Sequence, residues 1–364
     1  MTWLTKKLGE IAEISSGGTP RTGVKDYWNG NVPWLRSGEL IDKEIYKTEK
    51  LITKKGLEES SAKLFPKNSV LIALTGATVG RTGILRITSA TNQSVVAIFP
   101  NEKYFVPEFV WYFLRLNYQK IKARAYGGAQ SHIDQGDIKA MKIPLPPLKI
   151  QKQIVERLDK IAEAQKLNDE LIQKSDELFQ SFLHKEIQSP KGWETKKLEE
   201  IVDINYGKGL EKSYRKENGK YYAYGSNGPV YRTDKILIEE LTIIVGRKGG
   251  AGLLWMTEEP SWPIDTTFYL RVKDRSNTDL NFIYFSLQTK NLPKFAIVTA
   301  VPGINRSTLY NVKILFPPLK IQKQIVEKLS VVQDYKKKLL EQKQKLQELF
   351  ESVLNKSMKR ELVK

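Results

Sequence analysis

The sequence predicts an α+β protein: two pseudo-two-fold related modules held apart by two long helices that pack as an antiparallel coiled coil. Three observations carry that reading. The segment Pro146 to Glu156, Pro-Pro-Leu-Lys-Ile-Gln-Lys-Gln-Ile-Val-Glu, recurs unchanged as Pro317 to Glu327, an offset of 171 residues. A second pair, Trp3 to Ile11 and Trp193 to Ile201, repeats at an offset of 190, so the content between the shared elements is 19 residues shorter in the second copy. After each Pro-Pro-Leu the composition turns to Gln, Lys, Glu, Leu and Ile, and apolar residues recur in alternating steps of four and three, the seam of a coiled coil. Internal repetition of this kind marks two copies of one unit, each a variable globular part followed by a constant segment. The boundaries fall at residues 1–148 for the first module, 149–187 for the first helix, 188–318 for the second module and 319–364 for the second helix.

The helical elements come first. The seam is Ile154, Leu158, Ile161, Ile172 and Phe179 in the first copy, with Gln165, Asn168 and Ser175 filling the same series. In the second copy it is Ile325, Leu329, Val332, Leu339, Leu346 and Phe350, with Lys336 and Lys343 interposed. Each helix is amphipathic and needs a partner, and two helices leaving modules related by a two-fold axis pack antiparallel. At about 1.5 Å per residue the first helix is roughly 50 Å long, a rigid spacer. Polar seam residues fix register at some cost in stability.

The modules read as mixed structure built on a twisted sheet. Val70–Leu74, Ser94–Phe99, Leu241–Val245 and Phe268–Val272 are apolar runs bounded by turn residues and predict buried strands. Phe109–Arg115 and Phe282–Leu287 predict short helices, each opened by a Pro or Asn signal.

Charge narrows the partner. Lys and Arg number 59 against 41 Asp and Glu, a formal net charge of +18, which calls for a polyanion: nucleic acid first, anionic membrane second. No apolar run reaches the length of a membrane span. The first residues lack the apolar core of a signal peptide, and there is no cysteine, so a cytoplasmic location is expected.

Glycine-rich turns follow strands in both modules, Thr75 to Gly83 and Val245 to Gly252. Neither ends in Gly-Lys-[Ser/Thr], so neither is a P-loop. Each reads either as a tight hairpin or as a loop that sets backbone amides and Arg81, or Arg247 and Lys248, against phosphates or base edges. Other loops mix aromatic, amide and basic groups. The candidates are Arg21, Arg36, Ser37, Gln130 and Ser131 in the first module, and Lys208, Tyr224, Ser226, Asn227, Asn305 and Arg306 in the second. Arginine suits guanine and Asn or Gln suits adenine in the major groove.

Catalytic equipment is sparse. With His132 and His184 the only histidines and no cysteine, a zinc cluster is excluded. Leu145-Pro-Pro-Leu148 and Phe316-Pro-Pro-Leu319 lack the flanking groups of an amino-group methyltransferase signature. Glu194-Thr-Lys196 and Glu341-Gln-Lys343 have the spacing of a nuclease motif, yet one lies in the repeated frame and the other in the coil. No catalytic, cofactor or metal residue is assigned.

Taken together these residues resemble the specificity subunit of type I restriction–modification systems. The resemblance covers the whole chain and rests on Trp3 with Leu8 and Glu10-Ile11, Gly18-Thr-Pro20, Tyr27-Trp28, Val32-Pro-Trp34, Tyr224-Gly-Ser-Asn-Gly228, Gly246-Arg-Lys248 with Asp265-Thr-Thr-Phe268, and the two Pro-Pro-Leu-x-x-Gln elements. It implies two target recognition domains, each reading one half of a bipartite site in double-stranded DNA. It also implies a coiled coil that sets the spacing and docks two methyltransferase subunits, and a non-catalytic role for this chain. S-adenosylmethionine would sit on the methyltransferase partners, and ATP and Mg2+ on separate restriction (motor) subunits. Two other readings stay open at this point. A free-standing nucleic-acid scaffold would not co-purify with a methyltransferase, and a nuclease would cleave DNA with metal on its own.

Overall fold

A computed structural model describes residues 3–127, 131–188, 192–257, 260–297, 302–359 and 361. The chain divides into two compact units, residues 1–168 with 342–364 and residues 169–341. The two long helices, Leu148–Leu183 and Leu319–Met358, each contribute one part to each unit.

In the first unit a five-stranded sheet runs in the order Ile14–Ser16, Val95–Ile98, Val70–Ala73, Thr82–Leu85, Lys43–Ile45. Its ladders are antiparallel except the last, which is parallel. The central strands are buried on both faces, which is why they read as unbroken apolar runs. Val70, Ile72, Val96 and Ile98 join the core beneath the helix Pro107–Leu116, while Leu71, Ala73, Val95 and Ala97 face a smaller cluster with Leu35, Leu40 and Phe65. A second sheet, Lys50–Ile52, Trp28–Leu35, Ser89–Thr91 and Leu64–Phe65, carries its own small core around Trp34 and Ile52.

The second unit repeats the plan with fewer strands. Its four-stranded sheet orders Val202–Tyr206, Thr267–Val272, Ile243–Gly246 and Leu254–Met256. A three-stranded sheet holds Gly228–Thr233, Tyr221–Gly225 and Ser261–Pro263. The four expected strands and two expected helices all form. One detail of the start signals changes. The helix Leu280–Gln288 is capped by Asp279, whose carboxylate accepts from the amides of Asn281 and Phe282, whereas Pro107 does open the other helix.

The repeated Pro-Pro-Leu-Lys-Ile-Gln element has a physical reason. Gln151 is fully buried. Its Nε2 donates to the carbonyls of Pro146 at 2.8 Å and Tyr104 at 3.0 Å, and its Oε1 accepts from the amide of Val106 at 2.9 Å. Val106 is the N-cap position of the helix Pro107–Leu116. Gln322 does the same in the second unit, donating to Pro317 at 2.8 Å and Asn277 at 3.1 Å and accepting from the amide of Asp279 at 2.9 Å. One side chain therefore fastens the start of a long helix to the start of a module helix. A second contact repeats above it: Tyr112 meets Phe350 edge-on at 5.7 Å, and Phe285 meets Phe179 at 5.9 Å.

The long helices pack antiparallel within each unit. In the first, Ile154 and Leu158 share a core with Phe350 and Leu354, and Gln165 donates to Gln347 at 3.2 Å. In the second, Lys336 pairs with Asp176 at 2.5 Å and Lys328 with Glu186 at 3.2 Å. Ile325, Leu329, Val332, Leu339 and Phe350 are buried, and Ile161, Ile172, Phe179 and Leu346 half-buried. The polar seam residues Asn168 and Ser175 are buried with them, and Lys343 is exposed.

Replacing Gln151 or Gln322 by Met keeps the volume and strands three backbone groups, one buried and two partly buried. Each change is expected to lower unfolding free energy by about 3 kcal/mol, measured by urea denaturation. A loss below about 0.5 kcal/mol, the size of an ordinary surface substitution, would contradict the clamp.

Candidate nucleic-acid interface

In the second unit the glycine turn after strand Ile243–Gly246 brings together residues far apart in sequence. Arg247 reaches the carbonyl of Asp265 with Nη2 at 2.6 Å and Nε at 3.1 Å. Its guanidinium lies 5.5 Å from the ring of Tyr206, and that of Arg306 lies 5.2 Å from the same ring. Both cations lie within cation–π range of that ring. Lys248 bridges to Gly303 through backbone, and the amide of Ile304 donates to the carbonyl of Arg247. Asn305 stands at the N-cap of the helix Arg306–Tyr310 and is exposed. Lys208 is fixed by backbone bonds, its amide to Pro263 and its carbonyl from the Trp262 indole at 2.6 Å. Tyr206, Lys208, Arg247, Lys248, Asn305 and Arg306 thus gather at one end of the sheet.

The first unit builds the same backbone frame. Leu74 donates to Ser94 as Arg247 donates to Thr266, and Ile133 donates to Leu74 as Ile304 donates to Arg247. Gly76 donates to Ser131 as Gly249 donates to Pro302, and Gly80 to Ala73 as Gly252 to Gly246. The paired glycines share left-handed backbone, φ of 70° and 79° for Gly76 and Gly249, and 81° and 82° for Gly80 and Gly252, a conformation that needs no Cβ. Ser131 supplies its carbonyl to this frame. Gln130 lies outside the described residues.

The same correspondence locates the basic residues of the two turns. The two glycine turns do not present equivalent basic residues: Arg247 is matched by Leu74, and Arg81 by Leu253, since Ala73 donates to Arg81 as Gly246 does to Leu253. Arg81 instead pairs with Asp42 at 2.6 Å, which raises its pKa, and stacks on Tyr118 at 5.3 Å. Arg36 is likewise held by Glu49. Arg21 is exposed, with its carbonyl accepting from the Trp28 indole at 3.3 Å, and Ser37 opens the turn Ser37–Glu39. These three flank the strand Trp28–Leu35. Tyr224 and Ser226 are 5% and 6% exposed, and Ser226 Oγ donates to Thr266 at 2.5 Å. Their side chains hold the loop, while Asn227 is exposed.

Other groups were not singled out from the sequence. In the second unit Arg215 stacks on Tyr231 at 4.2 Å and Arg232 on Tyr222 at 3.9 Å, with Lys220 near Tyr221 and Lys235 near Tyr214. The signal was the interleaving of Tyr with Lys and Arg from Tyr214 to Lys235. In the first unit Lys50 lies over Trp28 at 5.4 Å. His132 bonds Asp134 at 2.8 Å, and the Tyr126 hydroxyl, then His132, hold the Asp134 carboxyl below its ordinary range.

The family model of the Type I restriction modification DNA specificity domain matches residues 1–174 and 190–349. The type I restriction enzyme MjaIX specificity subunit of Methanocaldococcus jannaschii is 30% identical over 231 residues, 56% of this chain and 52% of that one, so the chain spans about half the length of this relative. The MjaVIII specificity subunit of the same organism is 26% identical over 408 residues, 98% of this chain and 91% of that one. The solved S subunit of the type I restriction-modification system from M. genitalium superposes with a TM-score of 0.67 at 16% identity, covering 98% of this chain and 96% of that one; at that identity it speaks for the fold. With the family matched along most of its length, the chain belongs to the type I restriction–modification DNA specificity family.

Proposed function

We propose that this chain reads a bipartite DNA site, the first recognition domain (1–148) contacting one half and the second (188–318) the other. The observation that carries this is one backbone frame built twice and furnished with different side chains. A duplicated scaffold suits a ligand with two half-sites, and different furnishings suit two different half-sequences. The net charge of +18 supports salt-dependent phosphate contact. Under this reading the long helices set the half-site spacing, and the chain itself has no catalytic role and no bound cofactor. Methylation and cleavage then belong to partner subunits that carry S-adenosylmethionine, ATP and Mg2+. The protein works in the cytoplasm.

Docking of two methyltransferase subunits has support in the helix surfaces. Leu178 in the second unit and Leu349 in the first are equivalent by the 171-residue offset and are 45% and 47% exposed. Large apolar side chains kept in water at matching places suit two copies of one partner.

Two experiments check the proposal. Inserting one heptad into each long helix keeps the seam and adds about 10 Å. Selection from a randomised duplex pool is expected to return the same two half-sites with a spacer longer by roughly three base pairs; an unchanged spacer contradicts the ruler. Leu178→Glu and Leu349→Glu, made singly, are each expected to lower the co-purified methyltransferase from two copies to one, and together to abolish it. Full stoichiometry in the double variant would remove these leucines from the interface.

A further inference from the structure

The repeated frame fixes which side chains occupy equivalent places. Gly207 donates to Thr267 as Gly17 donates to Val95, and Tyr206 pairs with Phe268 as Ser16 pairs with Val96. Tyr206 therefore stands where the first unit has Ser16. Ile304 and Ile133 are equivalent by their bonds to Arg247 and Leu74, so Asn305 corresponds to Asp134 and Arg306 to Gln135. Asn305 and Asp134 each stand at the N-cap of a short helix, Arg306–Tyr310 and Gln135–Ala140.

The paired residues are used in opposite ways. Gln135 is turned inward. Its Nε2 donates to the carbonyl of Ile14 at 2.8 Å, and its Oε1 accepts from Ser16 Oγ at 2.9 Å. Both ends of the amide are committed inside the first unit. Arg306 is exposed and lies over the Tyr206 ring, itself 51% exposed, and its guanidinium makes no hydrogen bond or ion pair among the described residues. Arg247 lies over the same ring, with Nε and Nη2 turned to the Asp265 carbonyl. It braces the ring and adds charge, and Arg306 keeps its full donor fork. A planar fork held on an aromatic shelf matches the paired O6 and N7 acceptors of guanine in the major groove.

We infer that Arg306, positioned by Tyr206, reads a guanine in the half-site of the second unit, and that the first unit reads no base from the equivalent place, Gln135. This deepens the proposed bipartite reading and rests on it. Specificity then differs between the halves because one frame position carries an outward fork in one unit and an inward amide in the other.

The test is selection from a randomised duplex pool by the full chain with its co-expressed methyltransferase subunits, for the wild type, R306Q and R306K. The wild type is expected to enrich a split motif with an invariant guanine in one half. R306Q and R306K are both expected to lose preference for guanine at that one position, by roughly 10- to 100-fold, with the other half-site unchanged. The intact half also reports that each variant is folded. R306K separates base reading from phosphate contact, because an ammonium keeps the charge without the fork. Retained guanine preference in R306K, equal weakening on all sequences in R306Q, or an unchanged motif in both would each overturn the inference and leave the bipartite reading standing. No split motif from the wild type would overturn that reading itself, and this inference with it.

Discussion

Two buried glutamines hold this architecture together. Each occupies the sixth position of a Pro-Pro-Leu-Lys-Ile-Gln element, and each makes three hydrogen bonds to backbone groups that no regular structure satisfies. A buried amide in that position is costly unless every bond is made. The geometry it enforces is therefore narrow. It sets the exit of the long helix from the module and the entry of the module helix that packs beside it. The aromatic pairs Tyr112 with Phe350 and Phe285 with Phe179 then join each module helix to the far end of the other long helix. Each joint is anchored in the element that repeats without change, Pro146 to Glu156 and Pro317 to Glu327.

Between the joints the constraint is different. The sheets need apolar faces and turns with left-handed glycines, which many sequences supply. Five backbone hydrogen bonds around Gly76 have counterparts around Gly249 although the surrounding side chains differ. Backbone carries the frame, so side chains at its rim are free to vary without unfolding the module. Function placed on loops over a rigid scaffold is the general consequence. Here it produces two surfaces of different chemistry from one plan: Leu74, Ser16 and Gln135 in one unit, Arg247, Tyr206 and Arg306 in the other.

Much of this was legible in the sequence. The core strands were, because burial on both faces leaves unbroken apolar runs. The helices were, because a seam repeats every 3.5 residues. The identity of Gln151 and Gln322 was visible as repetition, but their burial depended on carbonyls over forty residues away in sequence. The geometry of the rim is less visible in the sequence. Both glycine turns contain basic residues, but composition does not say which positions correspond. The turn of the second unit is one residue shorter between its left-handed glycines, so the match by composition fails and the match by hydrogen bonds pairs Arg81 with Leu253. Tyr224 and Ser226 sit in a motif with the composition of a contact loop, yet their side chains point into the module. Composition cannot distinguish a side chain that holds a loop from one that the loop presents.

The central claim is that the two modules read independently on a common scaffold. The most direct measurement exchanges residues 188–318 for the corresponding module of another member of the family, co-expresses the chimera with the methyltransferase subunits, and maps methylated adenines by sequencing. The account predicts a split motif in which one half changes and the other half and the spacer stay the same. A motif that changes in both halves, or in neither, would contradict it.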